Sequence, residues 1–344
     1  MPPAPAQRSV TLPTRETRGR ARLGVVTWTS WQAAWQEALY GVEGFYRRAE
    51  GPAGHFSTSA QGIPGTGQVL AQAVVALADR HGLSTIVEIG AGRGELLREL
   101  HSIDRTRTLR GVDVVDRPSN LPDGVDWLRS PGGLGLPAEL AGLDDVLVIA
   151  HEWLDVVPCP VVLRSPDGPW RYVTVDPATG DERADELVSG ADLDWLDTHV
   201  PDHVRRAEIG RPRDTAYADL CSRVLSGLVV AVDYGHTRDD RPVEGTLIGY
   251  RDGVSVPPVP DGSCDLTAHV AVDALGADRL VRQRDILHDL LGRRPLPDQD
   301  LARADPSAYL LELQRANALA TLTAPTGLGA FWWATTLRRS GDLG

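Results

Sequence analysis

The stretch Ile86-Val87-Glu88-Ile89-Gly90-Ala91-Gly92-Arg93-Gly94 sets a carboxylate near the end of an apolar run and three glycines in the turn that follows, and a helical pattern starts at Glu95-Leu96-Leu97. Glycines at a strand-to-helix turn let backbone approach a ligand where a Cβ would intrude. A dinucleotide fingerprint requires Gly-x-Gly-x-x-Gly, with a pyrophosphate on the helix N-terminus. Here the third glycine comes one residue early, and Glu88 precedes the first by two. A carboxylate there repels a pyrophosphate but suits the ammonium group of S-adenosylmethionine. Roughly 20 residues on, the spacing that ribose recognition requires, Gly111-Val112-Asp113 ends a second apolar run. The expected cofactor is therefore S-adenosyl-L-methionine, held by Glu88, Gly90, Ala91, Gly92, Gly94 and Asp113, with Asp126 and Trp127 as an adenine-side edge. The plainer alternatives are a turn with a structural acid and, for Trp127, ordinary core.

A second constellation follows the apolar run Val146 to Ala150, where His151, Glu152 and Asp155 reach the carboxyl edge of a sheet. Glu152 and Asp155 are close enough to converge within a helical turn. A carboxylate pair matches a guanidinium, whose five donors fit carboxylates bidentately. Against this stands a helix cap, or an ion pair with an internal arginine. His151 is a candidate base for a less basic acceptor, or a structural hydrogen-bonder. Asp233 and Tyr234, after the run Leu228 to Val232, are expected to bound the same cleft, and His55 in its Gly-rich loop to border it as a lid. Asp265 and Thr267 read as helix-start residues, with His269 in the first turn.

Five short apolar runs position these groups: Thr85 to Ile89, Leu109 to Val115, Val125 to Leu128, Val146 to Ala150 and Leu228 to Val232. Such near-continuous runs between helical patterns are those of buried parallel strands, so the fold expected is a doubly wound, Rossmann-like α/β domain. Residues 1–22 read as a Pro- and Arg-rich tail and 23–82 as a helical segment with Trp28, Trp31, Trp35 and Leu39 on one face. The domain is expected over 83–335 with an inserted lobe about 161–216, in which 170–175 alternates like a strand, and 336–344 as a second tail. Ile286, Leu287, Leu290 and Leu291, then Tyr309, Leu310 and Leu313, should pack back on the sheet, and Phe331-Trp332-Trp333 should close it.

Composition narrows the partners. The net charge of −12 opposes a phosphate-tracking face, so nucleic acid is not expected. All 35 basic residues counted as Lys or Arg are arginine, which removes Schiff-base and Walker-lysine chemistry and suggests a GC-rich bacterial genome. Cys159, Cys221 and Cys264 form no Cys-x-x-Cys pair, so no metal site is expected and a reducing cytoplasm fits. No apolar run approaches the length of a membrane span. A homodimer is compatible with the sequence.

From about Gly41 to Thr335 the chain resembles the MidA-like methyltransferases, which include the mitochondrial arginine methyltransferase needed for complex I assembly. The resemblance rests on ordered blocks: Gly44-Phe45-Tyr46, Gly54-His55-Phe56-Ser57-Thr58, Glu88 to Gly94, Glu152 to Pro158, Asp233-Tyr234-Gly235, Gly245-Thr246-Leu247 with Tyr250, and Asp265 to Val270. The family usually has Asp where His55 stands and Asn where His151 stands. The resemblance implies a class I methyltransferase fold and arginine N-methylation in a protein or peptide. A small-molecule acceptor is the second expectation, and a non-catalytic assembly factor with a vestigial donor pocket the third.

Overall fold

The computed structural model describes residues 27–48, 63–293 and 295–341; His55 and the 1–22 tail lie outside them. Seven strands form the central sheet: β1 (Thr85–Ile89), β2 (Thr108–Asp113), β3 (Val125–Arg129), β4 (Val146–His151), β5 (Gly227–Asp233), β6 (Arg279–Arg282) and β7 (Trp332–Arg338). Their order is β6-β7-β5-β4-β1-β2-β3. β1 to β5 pair in parallel, whereas β7 runs antiparallel to both β5 and β6. Every residue of β4 and β5 is buried, which is why their sequences show no polar alternation.

The two-residue period of the strands sorts the core into two layers. On one face Ile86, Leu147, Ile149, Leu228 and Val230 pack against four helices: α2 (Thr66–His81), α3 (Glu95–Ile103), α5 (Gln283–Leu291) and α6 (Pro306–Leu322). On the other, Val87, Val148, Val229 and Ala231 meet Ala216, Tyr217 and Leu220 of α4 (Arg211–Ser222). The strand order reverses between β1 and β4, so a crevice opens there at the carboxyl ends, the place where open α/β sheets take ligands.

The first helix, α1 (Trp31–Tyr40), is capped by Ser30, whose hydroxyl accepts from Ala33 N at 3.2 Å. Trp31, Trp35 and Leu39 are fully buried on its inner side. Trp28 precedes the helix instead of extending its face, and lies under the Arg183 guanidinium at 4.5 Å. Thr29–Ser30 pairs with Thr174 and Val175, joining the N-terminal segment to a small sheet made of Val161–Leu163, Arg171–Val175, Glu182–Leu187 and Arg206–Glu208. That lobe sheet ends before α4, which belongs to the main sheet. At the other end β7 continues to Arg338, past Thr335.

Two sequence expectations give way. Asp265–Thr267 is a strand in a three-stranded sheet with Ile248–Arg251 and Val254–Val256, and His269 lies between it and the two-residue strand Val270–Ala271. Asp and Thr favour helix caps, but here the ladder pairing Tyr250 with Asp265 and Ile248 with Thr267 prevails. In α6 the buried side is Ala316, Ala318, Leu319 and Leu322, while Leu310 is 63% exposed. Among the described residues no helix is long and apolar enough to cross a membrane.

Candidate functional site

β1 carries Glu88 into the crevice, where it is 4% exposed and its Oε2 has no hydrogen-bond partner. Burial, with Glu95 and Asp113 adding their charge, holds this carboxyl well above the usual range. The loop that follows is tied to β2: Gly90 N and Ala91 N donate to Val112 O at 2.9 and 3.1 Å, and Gly92 N donates to Asp113 Oδ2 at 2.8 Å. Gly90, Gly92 and Gly94 all have left-handed φ, of 70°, 56° and 74°. A Cβ on Gly94 would strike Leu121 at 2.4 Å, whereas one on Gly92 would enter the cleft, meeting only Glu95 Oε2 at 3.6 Å. Asp113 also accepts from Val115 N at 3.3 Å. Burial pushes its carboxyl up to about 6 against the pull of these backbone donors. The orphaned Glu88 oxygen and the open cradle over Gly92 fit a ligand with an ammonium group and a sugar.

The structure sets Asp126 and Trp127, expected as an adenine-side edge, away from the cleft. Asp126 is exposed and pairs with Arg110 at 3.4 Å, and Trp127 donates to Val115 O at 3.0 Å while its ring fills the space over Gly111. Both sit inside β3, and neither lines the cleft. The strand continues to Arg129, so the residues that reach its carboxyl edge are Ser130, Gly132 and Gly133, with Gly132 against Tyr40 and Gly133 against Gln36 of α1. The Gly132-Gly133 pair, with φ of 96° and 61°, was the available signal.

β4 ends at His151, and the chain then turns through Glu152, whose φ of 51° is uncommon for a residue with a side chain. No helix starts here, so the helical turn expected for Glu152 and Asp155 is replaced by irregular turns, yet both still line the cleft. The turn is braced from behind: Asp233 Oδ2 accepts from Leu154 N and Asp155 N at 3.0 and 3.2 Å. Asp155 Oδ2 accepts from Thr267 Oγ1 at 2.6 Å and from the Tyr234 hydroxyl. Asp233 and Tyr234 therefore stand one layer behind the cleft and do not line it. Asp155 Oδ1 and Asp233 Oδ1 are buried without a partner, and burial raises both carboxyls. His151 lies in the cleft with Nδ1 3.4 Å from Glu152 Oε1; burial lowers its pKa to about 4, leaving it neutral near pH 7.

The internal arginine exists but does not pair with these carboxylates. Arg213, 1% exposed, donates to the carbonyls of Val157 (3.1 Å), Ala268 (3.0 Å), His269 (2.8 Å) and Asp155 (2.6 Å). It knits the turn after β4 to the segment that follows the strand Asp265–Thr267 through backbone carbonyls. Sequence reasoning missed Tyr40, Tyr46, Asp265 and Ser130 as cleft residues. Among the described residues no cluster of His, Cys, Asp and Glu could hold a metal ion.

A family model described as "putative S-adenosyl-L-methionine-dependent methyltransferase" matches residues 99–284, more than half of the chain. No curated protein matches it. Among solved structures, a Burkholderia thailandensis protein bound to S-adenosyl-homocysteine is similar at 22% identity and a TM-score of 0.69, over 90% of this chain and 88% of that one. A native structure from the same organism is similar at 23% identity and a TM-score of 0.69, over 90% and 87% of the two chains. These likenesses carry the fold: a Rossmann-like methyltransferase sheet.

Proposed function

Because the chain belongs to the S-adenosyl-L-methionine-dependent methyltransferase family matched by residues 99–284, the MidA-like family that its motifs resemble, we propose that this enzyme methylates a guanidinium nitrogen of arginine in a protein or peptide. The observation that carries the reading is the charge of the cleft. Glu152, Asp155 and Asp265 line its far side, while Arg93 at the donor loop is the one Arg among the described lining residues. Burying a carboxylate is costly, and a bound cation offsets that cost.

In this reading Glu88 takes the donor's ammonium group, Asp113 its ribose hydroxyls, the backbone of Gly90 to Gly92 its close approach, and Ser130 to Gly133 the adenine side. The donor supplies an electrophilic methyl group and departs as a neutral thioether. Glu152 and Asp155 grip the guanidinium and orient one nitrogen toward the methyl, and positioning supplies most of the rate. A methylated guanidinium nitrogen must shed a proton, and a carboxylate with a raised pKa, such as Asp155, is a suitable receiver. His151, neutral beside Glu152, is assigned to orienting that carboxylate rather than to base catalysis. Asp233 and Tyr234 act through Asp155. The three free thiols, Cys159, Cys221 and Cys264, accord with a reducing cytoplasm as the setting.

The test is to incubate the protein with methyl-labelled donor and cell lysate, then hydrolyse the labelled macromolecules. Methylarginines are the expected product. Label confined to small molecules would replace the arginine reading with a metabolite acceptor, and label on another residue type would refute it directly.

A further inference from the structure

One wall of the cleft comes from two parts of the chain far from the central sheet's switch point. Asp265 belongs to the three-stranded sheet, and Tyr46 to the 3-10 turn Phe45–Arg47 that follows α1. Both line the cleft. The Tyr46 hydroxyl donates to Asp265 Oδ1 at 2.7 Å, engaging Oδ1 and not Oδ2. The Tyr46 ring lies 5.5 Å from that of Tyr40, whose hydroxyl is anchored on Val156 O at 3.1 Å. Trp35 Nε1 donates to Leu266 O at 2.9 Å and so fixes the strand carrying Asp265 against α1. Asp265 is 4% exposed, and burial, with Asp155 nearby, raises its carboxyl; the Tyr46 phenol is lifted too, so it stays protonated and able to donate. A carboxylate this deep is under-neutralised by one phenol and the backbone N–H of Leu266.

We propose that Asp265, oriented by Tyr46, is a specificity residue that makes the cleft prefer a guanidinium over an ammonium acceptor. This rests on the guanidinium reading above and extends it. Glu152 and Asp155 approach from the end of β4, whereas Asp265 approaches from a separate sheet, so the anionic contacts are spread around the bound group. A guanidinium spreads five donors over a plane and leaves its faces to aromatic rings such as Tyr40 and Tyr46. An ammonium concentrates three donors at a point and cannot serve carboxylates on several sides equally well. The competing role for Asp265 is structural, as the acceptor that holds Tyr46. Asp265→Asn separates the two, because the amide oxygen still accepts from the phenol while the charge is gone.

The experiment is calorimetry on the full chain, saturated with S-adenosyl-homocysteine, using N-acetyl-arginine amide, N-acetyl-lysine amide and neutral N-acetyl-citrulline amide as probes. The unaltered protein should bind the arginine probe about tenfold or more tighter than either other, the scale of one charge-assisted contact. Asp265→Asn should lower arginine affinity about tenfold, lysine affinity by less than about threefold, and leave S-adenosyl-homocysteine binding unchanged. A folded Asp265→Asn protein that keeps the full arginine-over-lysine preference overturns the proposal and leaves the guanidinium reading intact. Failure of the unaltered protein to prefer arginine over citrulline removes the guanidinium reading and the proposal with it. If Asp265→Asn does not fold, Tyr46→Phe carries the test: it keeps the carboxylate but not its orientation, and an unchanged arginine-over-lysine preference is the refuting result.

Discussion

Replacing Asp113 by Asn tests the donor assignment through both charge and pH. In the structure Asp113 ties Gly92 N through Oδ2 at 2.8 Å, accepts the longer 3.3 Å contact from Val115 N through Oδ1, and presents a carboxylate to the cleft where β2 ends. Asn can still accept from Gly92 N, so the loop should keep its shape while the charged ribose contact is lost. A charge-assisted hydrogen bond is worth about 1.5–3 kcal/mol, so donor affinity should fall by about one to two decades. The pH arm follows from the carboxyl's rise to about 6. At pH 7.5 it is ionised and accepts both hydroxyls; at pH 5 only about one-tenth is ionised, so affinity in the unaltered protein should drop as pH falls, by up to about tenfold from this group. Asp113→Asn should lose that part of the pH dependence. Calorimetry with S-adenosyl-homocysteine at both pH values, with circular dichroism as the check on folding, reads all of this. Unchanged affinity at pH 7.5 in folded Asp113→Asn would take Asp113 out of the ribose contact.

Other perturbations separate the remaining parts. Gly92→Val should abolish measurable donor binding, because its side chain would enter the cleft from a left-handed backbone position that valine adopts poorly; normal binding by a folded variant in the same titration would overturn the loop assignment. Glu152→Gln should lower turnover by about two decades or more while donor affinity stays within about threefold, as expected for a positioned electrostatic contact, and single-turnover kinetics on a methylated lysate protein would measure it. Arg213→Met should destabilise the fold by about 3 kcal/mol or more, since it orphans the carbonyls of Asp155, Val157, Ala268 and His269 in a dry interior; an unchanged urea midpoint would show that these bonds contribute little.

The side of the cleft built on the glycine loop was legible because its determinants are local. Glu88, the three glycines and Asp113 lie within one strand-turn-helix-strand unit, and apolar runs mark buried parallel strands directly. The side formed after β4 was legible only in part. Glu152 and Asp155 announced themselves by following an apolar run, but Asp265 looked like a helix start, because a three-residue strand has no period of its own and is decided by its pairing with Tyr250. Arg213 gave no signal in the sequence, because nothing local shows that its guanidinium ends among backbone carbonyls. Asp126 and Trp127 lie inside β3 and not at its carboxyl edge, because pairing with β2 carries the strand on to Arg129, the kind of boundary that tertiary contacts set.

The pins across the roof of the cleft, Trp35 on Leu266, Tyr46 on Asp265 and Tyr40 on Val156, each join residues more than a hundred positions apart. In folding terms these are high-contact-order closures, which form late because loop entropy must be overcome before they contribute. The glycine loop and Asp113, 21 positions apart at Gly92, close early and locally. The molecule should therefore acquire its grip on the methyl donor before it acquires a chamber for the acceptor, and on mild destabilisation it should lose them in the opposite order, so that warming costs selectivity before it costs cofactor.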